Sequence, residues 1–404
     1  MPVIMWRACM REPAITPSAS LLRCRMVDSS LPSLILLVLV AGSFVYTLMT
    51  ILAAADFMRA RPGRRQGTPP ISILKPLSGV DQGLECNLRS FFAQQYPAFE
   101  ILFAVRDSND PAITVVENLR REFPAIETQL IVTGRPPYPN AKVFALDAMV
   151  AAARYDLLVM ADSDVRVSPE LLETIASEFE NPRVGLITCA YRAVAGRSFW
   201  TGLEAIGLNT EFLAGVLVAR MLNGMDFALG PTIAVRRRVL EQIGGFDYLK
   251  DYLAEDFVMG KRVAEAGWRV LLSSEIIEHR IGSQDLGANL RHRLRWARST
   301  RRSRPAGYIG QLFTHPLPMA VLCWILRPDW WPLAVATLAA RAVSAWAMAG
   351  WVLGDPVIRR KSWLLPVQDV LSLFVWIAGF FGNTVVWRGR TYEVAPDGTF
   401  EVKH

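Results

Sequence analysis

From Leu34 through Ala55 the sequence carries no charged residue. That run of roughly 20 residues is the length a helix needs to cross the hydrocarbon core of a bilayer. A secretory signal would hold only about 7 to 15 apolar residues before a small-residue cleavage site, so the run reads as a transmembrane helix over residues 31–56. Arg59, Arg61, Arg64 and Arg65 follow it at once. Positive residues beside a span favour the cytoplasmic side, so the middle of the chain is expected to face the cytoplasm. Residues 1–30 carry Arg7, Arg11, Arg23 and Arg25 without periodicity, and Met26 is as sensible a start as Met1. They read as a disordered or mis-started N-terminus.

The other end is apolar as well. Leu312 to Leu326, Trp331 to Leu353 and Leu364 to Trp387 are three further apolar segments with tryptophans near their ends. Arg327-Pro328-Asp329 allows only a tight hairpin between the first two, and Arg359, Arg360 and Lys361 mark a cytoplasmic loop before the third. Arg341 then lies mid-span, and Arg388 and Arg390 fall on the far side. A re-entrant or interfacial last segment therefore fits residues 311–390 as well as a crossing one does, with 391–404 as a tail.

Hydrophobic residues make up 52% of the chain and charged residues 20%, and the formal net charge is +7. The positive charge is gathered in juxtamembrane arginines and between Arg291 and Arg304. An anionic membrane surface accounts for that placement better than nucleic acid, for which the chain shows no aromatic-basic stacking pattern. Cys9, Cys24, Cys86, Cys189 and Cys323 have no paired or metal-ligand spacing, which suits a reducing compartment.

Residues 69–310 have globular composition and room for one α/β domain. Ile71 to Leu74, Glu100 to Val105, Gln129 to Val132 and Leu157 to Met160 read as buried strands, with helices over Asn87 to Gln95 and Ala112 to Phe123 between them. Such alternation predicts a mostly parallel sheet covered on both faces, with ligands bound beyond the carboxyl ends of the strands.

Polar residues at those ends carry the chemistry. Ala161-Asp162-Ser163-Asp164 sets two carboxylates two residues apart where a strand stops, and hard oxygen ligands of this kind suit Mg²⁺ or Mn²⁺ bridged to a diphosphate. A turn or cap before Ser168 and Pro169 explains the same pair without a metal. Asp107 closes another strand, either as a turn residue before Pro111 or as a contact to a nucleotide base or ribose. Glu255 and Asp256 stand at a helix start, where acids are ordinarily caps. Arg291-His292-Arg293-Leu294-Arg295-Trp296 is either a basic interfacial helix or a source of one diphosphate-binding guanidinium, Arg295, and one packing indole, Trp296. Phe199 to Leu222 reads equally as a core helix or as part of a lipid groove at the interface.

The order of these sites resembles that in the ceramide glucosyltransferases of glycosyltransferase family 21, a likeness covering about residues 70 to 390. It includes Leu74-Lys75-Pro76-Leu77-Ser78-Gly79-Val80-Asp81, Phe91-Phe92-Ala93-Gln94-Gln95-Tyr96-Pro97, Gly244-Gly245-Phe246, Ala254-Glu255-Asp256-Phe257-Val258-Met259 and Gly267-Trp268-Arg269. The resemblance implies a GT-A type fold, a UDP-sugar donor, a divalent metal held by Asp162 and Asp164, and one inverting transfer to a membrane lipid. Asp107, Asp162 and Asp256 match the family's three aspartates, and Arg295 and Trp296 match the end of its Gln/Arg-x-x-Arg-Trp motif, where His292 takes the first place. Lys75 joins Asp107, Asp162, Arg295 and Trp296 as donor-binding. Inversion needs a carboxylate to take the proton of the attacking hydroxyl, and Asp256 is the candidate base.

The resemblance extends to a bacterial branch linked to hopanoid biosynthesis, so the expected acceptor is ceramide or a hopanoid polyol and the expected site a bacterial inner membrane. Two other readings fit the same residues. A processive polysaccharide synthase differs in product size, and a catalytically silent membrane scaffold of this fold differs in turnover.

Overall fold

Every residue from Ile71 to Lys75 is buried, because this strand runs through the middle of the sheet. In the computed structural model the described residues are 19–59, 67–387 and 390–403, with the backbone alone for 19–30. The expectations for residues 1–18 and for Arg61, Arg64, Arg65 and Arg388 lie outside the described residues. The strands are β1 (Ile71–Pro76), β2 (Phe99–Val105), β3 (Glu127–Val132), β4 (Leu157–Ala161), β5 (Val165–Arg166), β6 (Val184–Ala195), β7 (Thr232–Arg236) and β8 (Arg269–Ile281). They form one sheet in the order β3-β2-β1-β4-β7-β6-β8-β5. Pairs among β1 to β4 are parallel, as is β6 with β8; β7 is antiparallel to both neighbours.

Alternation along the strands separates two cores. Ile71, Ile73, Ile101 and Phe103 face one layer, formed by α2 (Leu84–Phe92), α3 (Ala112–Glu122) and α5 (Leu171–Glu178). Leu74, Leu102 and Ala104 face the other, formed by α4 (Ala141–Ala152), α8 (Arg237–Gln242), α9 (Gly245–Leu249) and α10 (Glu255–Glu265). Each of the Ile, Leu and Phe side chains contributes about 1.5 to 3 kcal/mol by leaving water. The expected α/β, GT-A type architecture with a mostly parallel sheet is the one observed.

Helix α1 (Ala19–Arg59) does more than anchor. Ala53, Ala54 and Phe57 are buried in the same core as Ile71. Its outer part instead exposes Leu31, Leu34, Ile35, Val38, Val45 and Leu48, a surface that suits lipid rather than water.

Among the described residues four helices are long and apolar enough to cross a membrane: Leu31–Arg59, Phe199–Asn223, Pro328–Val352 and Pro356–Gly379. The second comprises α6 (Phe199–Gly207), a π-helical turn (Leu208–Phe212) and α7 (Leu213–Asn223). It joins β6 to β7, which are hydrogen-bonded neighbours with Thr188 opposite Ile233. A single crossing would put those strands on opposite sides of a bilayer, so this helix lies against the domain.

Beyond the sheet come α11 (Leu286–Ser303), α12 (Pro305–Gly310), α13 (Leu317–Leu326), α14 (Trp331–Ala345), α15 (Pro356–Lys361) and α16 (Leu365–Gly379). Helix α16 rests on α11 near both ends. Arg293 donates to Gln368 Oε1 at 3.3 Å, and Arg298 to the Phe381 carbonyl at 2.8 Å. The apolar run from Leu364 to Trp387 is therefore not one helix. It stops at Gly379, and Gly382, at φ 75°, turns the chain into a strand.

That strand, β9 (Thr384–Trp387), pairs with β10 (Arg390–Val394) and then β11 (Phe400–Val402) in a small antiparallel sheet. Phe400 N donates to the Asp251 carbonyl at 3.0 Å, and Leu253 is buried with Val385, Tyr392, Val394 and Phe400. The segment expected as a tail thus returns to the α/β domain and brings Arg390 with it. Helix α1 and the α13–α14 hairpin remain as the segments that leave that domain, and Val40 packs among Met319, Ala320 and Cys323 where they meet.

This arrangement is testable by thiol labelling with a membrane-impermeant reagent in sealed vesicles of a cysteine-free background. Asp156→Cys and Glu401→Cys are expected to label from the same side, and Asp329→Cys from the other. Opposite labelling of the first two would refute the returning C-terminal sheet.

Candidate active site

The carboxyl ends of β1, β2 and β4 open into a cavity of ≈ 1410 Å³. Asp162, Asp164, Asp256, Arg295 and Trp296 all line it. These residues lie up to 134 positions apart in sequence: Asp162 and Asp164 follow the end of β4, Asp256 comes from the start of α10, and Arg295 and Trp296 come from α11.

The Asp162-Ser163-Asp164 turn is pinned from below. Ser163 Oγ donates to Asp81 Oδ2 at 2.6 Å, and Asn87 Nδ2 donates to the Ser163 carbonyl at 3.2 Å. Lys75 Nζ donates to the Asp162 carbonyl and stands 3.9 Å from the centre of the Phe91 ring. Lys75 is fully buried and supports the turn from beneath, outside the residues that line the cavity. Burial depresses its ammonium to about 7, against the pull of Asp162 and Asp164.

Asp107 is not among the lining residues either. Its carboxylate is 73% exposed at the rim, 3.6 Å from the guanidinium of Arg106, and Arg106 itself lines the cavity.

Charge at the strand ends is balanced by a residue that sequence reading missed. Lys142 Nζ lies 2.8 Å from Asp162 Oδ1 and 3.2 Å from Glu255 Oε1. Asn140 caps α4 by accepting from Val143 N at 3.2 Å, and it donates to the Tyr252 carbonyl at 3.0 Å. The first turn of α4 is thereby tied to the start of α10. Asn140 before an apolar helix was a readable cap signal, but its partners lie more than 110 residues away and leave no local trace.

Asp256 sits in α10's first turn with its carboxylate over Gly230, where an added Cβ would come within 2.6 Å of Oδ2. Burial, then the neighbouring Glu255, raises this carboxyl to about 6 in spite of Lys142. Asp164 goes the other way. Burial alone would raise it, but the charge and hydrogen bond of His279, with Lys75 behind, bring it down to about 2. His279 Nε2 is 3.2 Å from Asp164 Oδ2, whereas Asp164 Oδ1 is buried without a hydrogen-bond partner among the described residues. Among the described residues no three His, Cys, Asp or Glu side chains converge as a ready-made metal cage.

The far wall is aromatic and apolar. Trp296 packs edge-on to Phe212 at 5.8 Å and lies 5.8 Å from His292, and Tyr46 and Met49 of α1 with Val216 of α7 continue the lining toward the long apolar helices. His292 Nδ1 meets Glu204 Oε1 at 2.6 Å, and Glu204 also accepts from Asn289 at 2.5 Å. The Phe199 to Leu222 segment thus serves both expectations: Leu203, Ile206 and Leu217 are core, and Glu204, Leu208 and Phe212 line the cavity.

The profile of Glycosyl transferase family 21 matches residues 34–400. The chain is similar to Ceramide glucosyltransferase 1 of Caenorhabditis elegans, with 30% identity over 207 residues, 51% of this chain and 44% of that protein. Similarity to Ceramide glucosyltransferase 3 of the same organism is 23% over 394 residues, 93% of this chain and 84% of that protein. Among solved structures, the mannosyltransferase PcManGT from Pyrobaculum calidifontis in complex with GDP-Man and Mn²⁺ shares the fold. Its TM-score is 0.53 at 19% identity, covering 87% of this chain and 99% of that one.

Removing Lys142 leaves Asp162 and Glu255 facing each other without their shared cation. Lys142→Ala is expected to cost about 3 kcal/mol of stability, the scale for breaking a largely buried ion pair, read by chemical denaturation in detergent. A loss below about 0.5 kcal/mol would show that the cation does not hold the two strand ends together.

Proposed function

Since this chain belongs to glycosyl transferase family 21, we propose that it transfers one sugar, glucose or N-acetylglucosamine, from a UDP-sugar to the hydroxyl of a membrane lipid, with inversion. The observation that carries this reading is that one cavity holds both the acidic strand-end cluster and an apolar wall supplied by α1 and α7. A charged donor and a hydrocarbon-bearing acceptor meet there. The acceptor is a ceramide or a hopanoid polyol, and the domain faces the cytoplasm at a bacterial inner membrane.

Asp256 takes the proton of the attacking lipid hydroxyl. Its carboxyl, raised to about 6, is ionised at neutral pH yet more basic than an exposed aspartate, which matches the need of a general base. Arg295 directs its guanidinium fork to the diphosphate, and Trp296 packs against the acceptor side. Asp107 reaches the donor's base or ribose from the rim. Lys75 keeps the Asp162 turn in place.

Asp162 and Asp164 would hold a Mg²⁺ or Mn²⁺ ion. The unpartnered Asp164 Oδ1 and an all-oxygen pair suit such hard cations. Bound there, the ion supplies neutralisation of charge on the departing diphosphate.

The test is incubation of membranes carrying the chain with UDP-glucose or UDP-N-acetylglucosamine, ceramide or a hopanoid polyol, and Mg²⁺ or Mn²⁺, followed by mass analysis of the lipid. A glycolipid with a single added sugar is expected; a long glycan, or no lipid product from any pairing, sinks the reading. Asp256→Asn is expected to lower turnover by roughly 10³-fold, within the range for losing a general base. In the wild type the rate should fall on the acid side through an apparent pKa near 6, because protonated Asp256 accepts no proton. A pH profile flat from 5 to 8 would remove Asp256 from that role.

A further inference from the structure

Tyr191 stands in β6 opposite Ile277 of β8 and lines the cavity. Its side chain is buried, and its hydroxyl has no hydrogen-bond partner among the described residues. The ring cannot swing away to find one. It stacks on Phe212 at 5.3 Å with 29° between planes and meets the edge of His279 at 5.4 Å.

A buried hydroxyl left without a partner costs about 1 to 3 kcal/mol, so a native site that keeps one is shaped for something that arrives later. The orphan atoms cluster: Asp164 Oδ1 and His279 Nδ1, also without partners among the described residues, belong to residues that line the same cavity. Burial, and then the charges of Asp256, Glu204 and Asp164, hold the phenol well above its ordinary value. Tyr191 therefore stays protonated, and as an O–H among carboxylates it is equipped to donate to a neutral oxygen.

Its place in the cavity identifies the group it meets. On one side His279 leads to Asp164, the end that suits a diphosphate. On the other, Phe212 leads to Trp296 and the apolar wall. Between a diphosphate and a lipid hydroxyl lies the sugar that passes from one to the other. We propose that Tyr191 Oη donates a hydrogen bond to a hydroxyl of the transferred hexose, and so helps to choose the sugar. This rests on the nucleotide-sugar reading given above.

Tyr191→Phe removes the hydroxyl and keeps the ring. The variant is expected to lose roughly 10- to 100-fold in kcat/KM for the UDP-hexose, the scale of one buried hydrogen bond to substrate, in lipid transfer and in donor hydrolysis without acceptor. Inhibition by UDP alone should stay within about twofold of wild type, since the nucleotide lies elsewhere. The thermal midpoint without donor should hold or rise, because an unmatched buried hydroxyl is gone.

A set of monodeoxy UDP-hexoses then locates the contact. Wild type should lose a similar factor on one of them, and Tyr191→Phe should lose nothing further on that same donor. Unimpaired donor hydrolysis by Tyr191→Phe, an additive loss on every deoxy donor, or a lower thermal midpoint would each overturn the assignment. Inactivity of wild type with every nucleotide-hexose is a different result, which defeats the functional reading itself.

Discussion

Crowding of carboxylates at the end of a parallel sheet is the constraint around which this site is arranged. Asp162, Asp164, Glu255 and Asp256 converge where water is scarce, and like charges there would drive the strand ends apart without compensation. Lys142 between Asp162 and Glu255 and His279 on Asp164 supply it. The compensation is uneven, and that unevenness has chemical value. Asp164 is held strongly acidic and Asp256 is left basic, so neighbouring carboxylates are prepared for different tasks.

A second polar system runs from the cavity wall into the apolar helices. Glu204 holds His292 and Asn289, Asn289 accepts from Arg293, and Arg293 reaches Gln368, which donates to Glu211. Arg341 completes it with Asp369 at 2.9 Å and Glu211 at 3.2 Å. A guanidinium in an apolar segment is costly unless its charge is met. Here the carboxylates that meet it come from two other helices, so the membrane-side helices are fixed in register to the catalytic domain. His292, the position where the family motif usually carries Gln or Arg, is the end of this chain of contacts nearest Trp296.

Much of this was legible before any coordinates. The strands at 71, 100, 129 and 157 are short apolar runs that each give way to polar residues, which leaves few alternatives to buried strands in an alternating α/β pattern. The aspartates stood out because acids at strand ends in an alternating α/β pattern have one place to gather. Lys142, Tyr191 and Glu204 did not stand out. A lysine in the first turn of a helix, a tyrosine in an apolar strand and a glutamate in an apolar helix each look ordinary, since their meaning depends on partners 20 to 113 residues away.

The membrane segments divide in the same way. Hydropathy depends on residues close in sequence, so the amino-acid order alone determined which segments avoid water. Which of those segments leave the domain was decided by tertiary structure. The helix from Phe199 joins two strands of one sheet, and the last apolar run turns at Gly382 and pairs its end with the domain it came from. Strand pairing is a long-range contact that local composition does not encode, and it is this pairing that returns both segments to the side where the carboxylates wait.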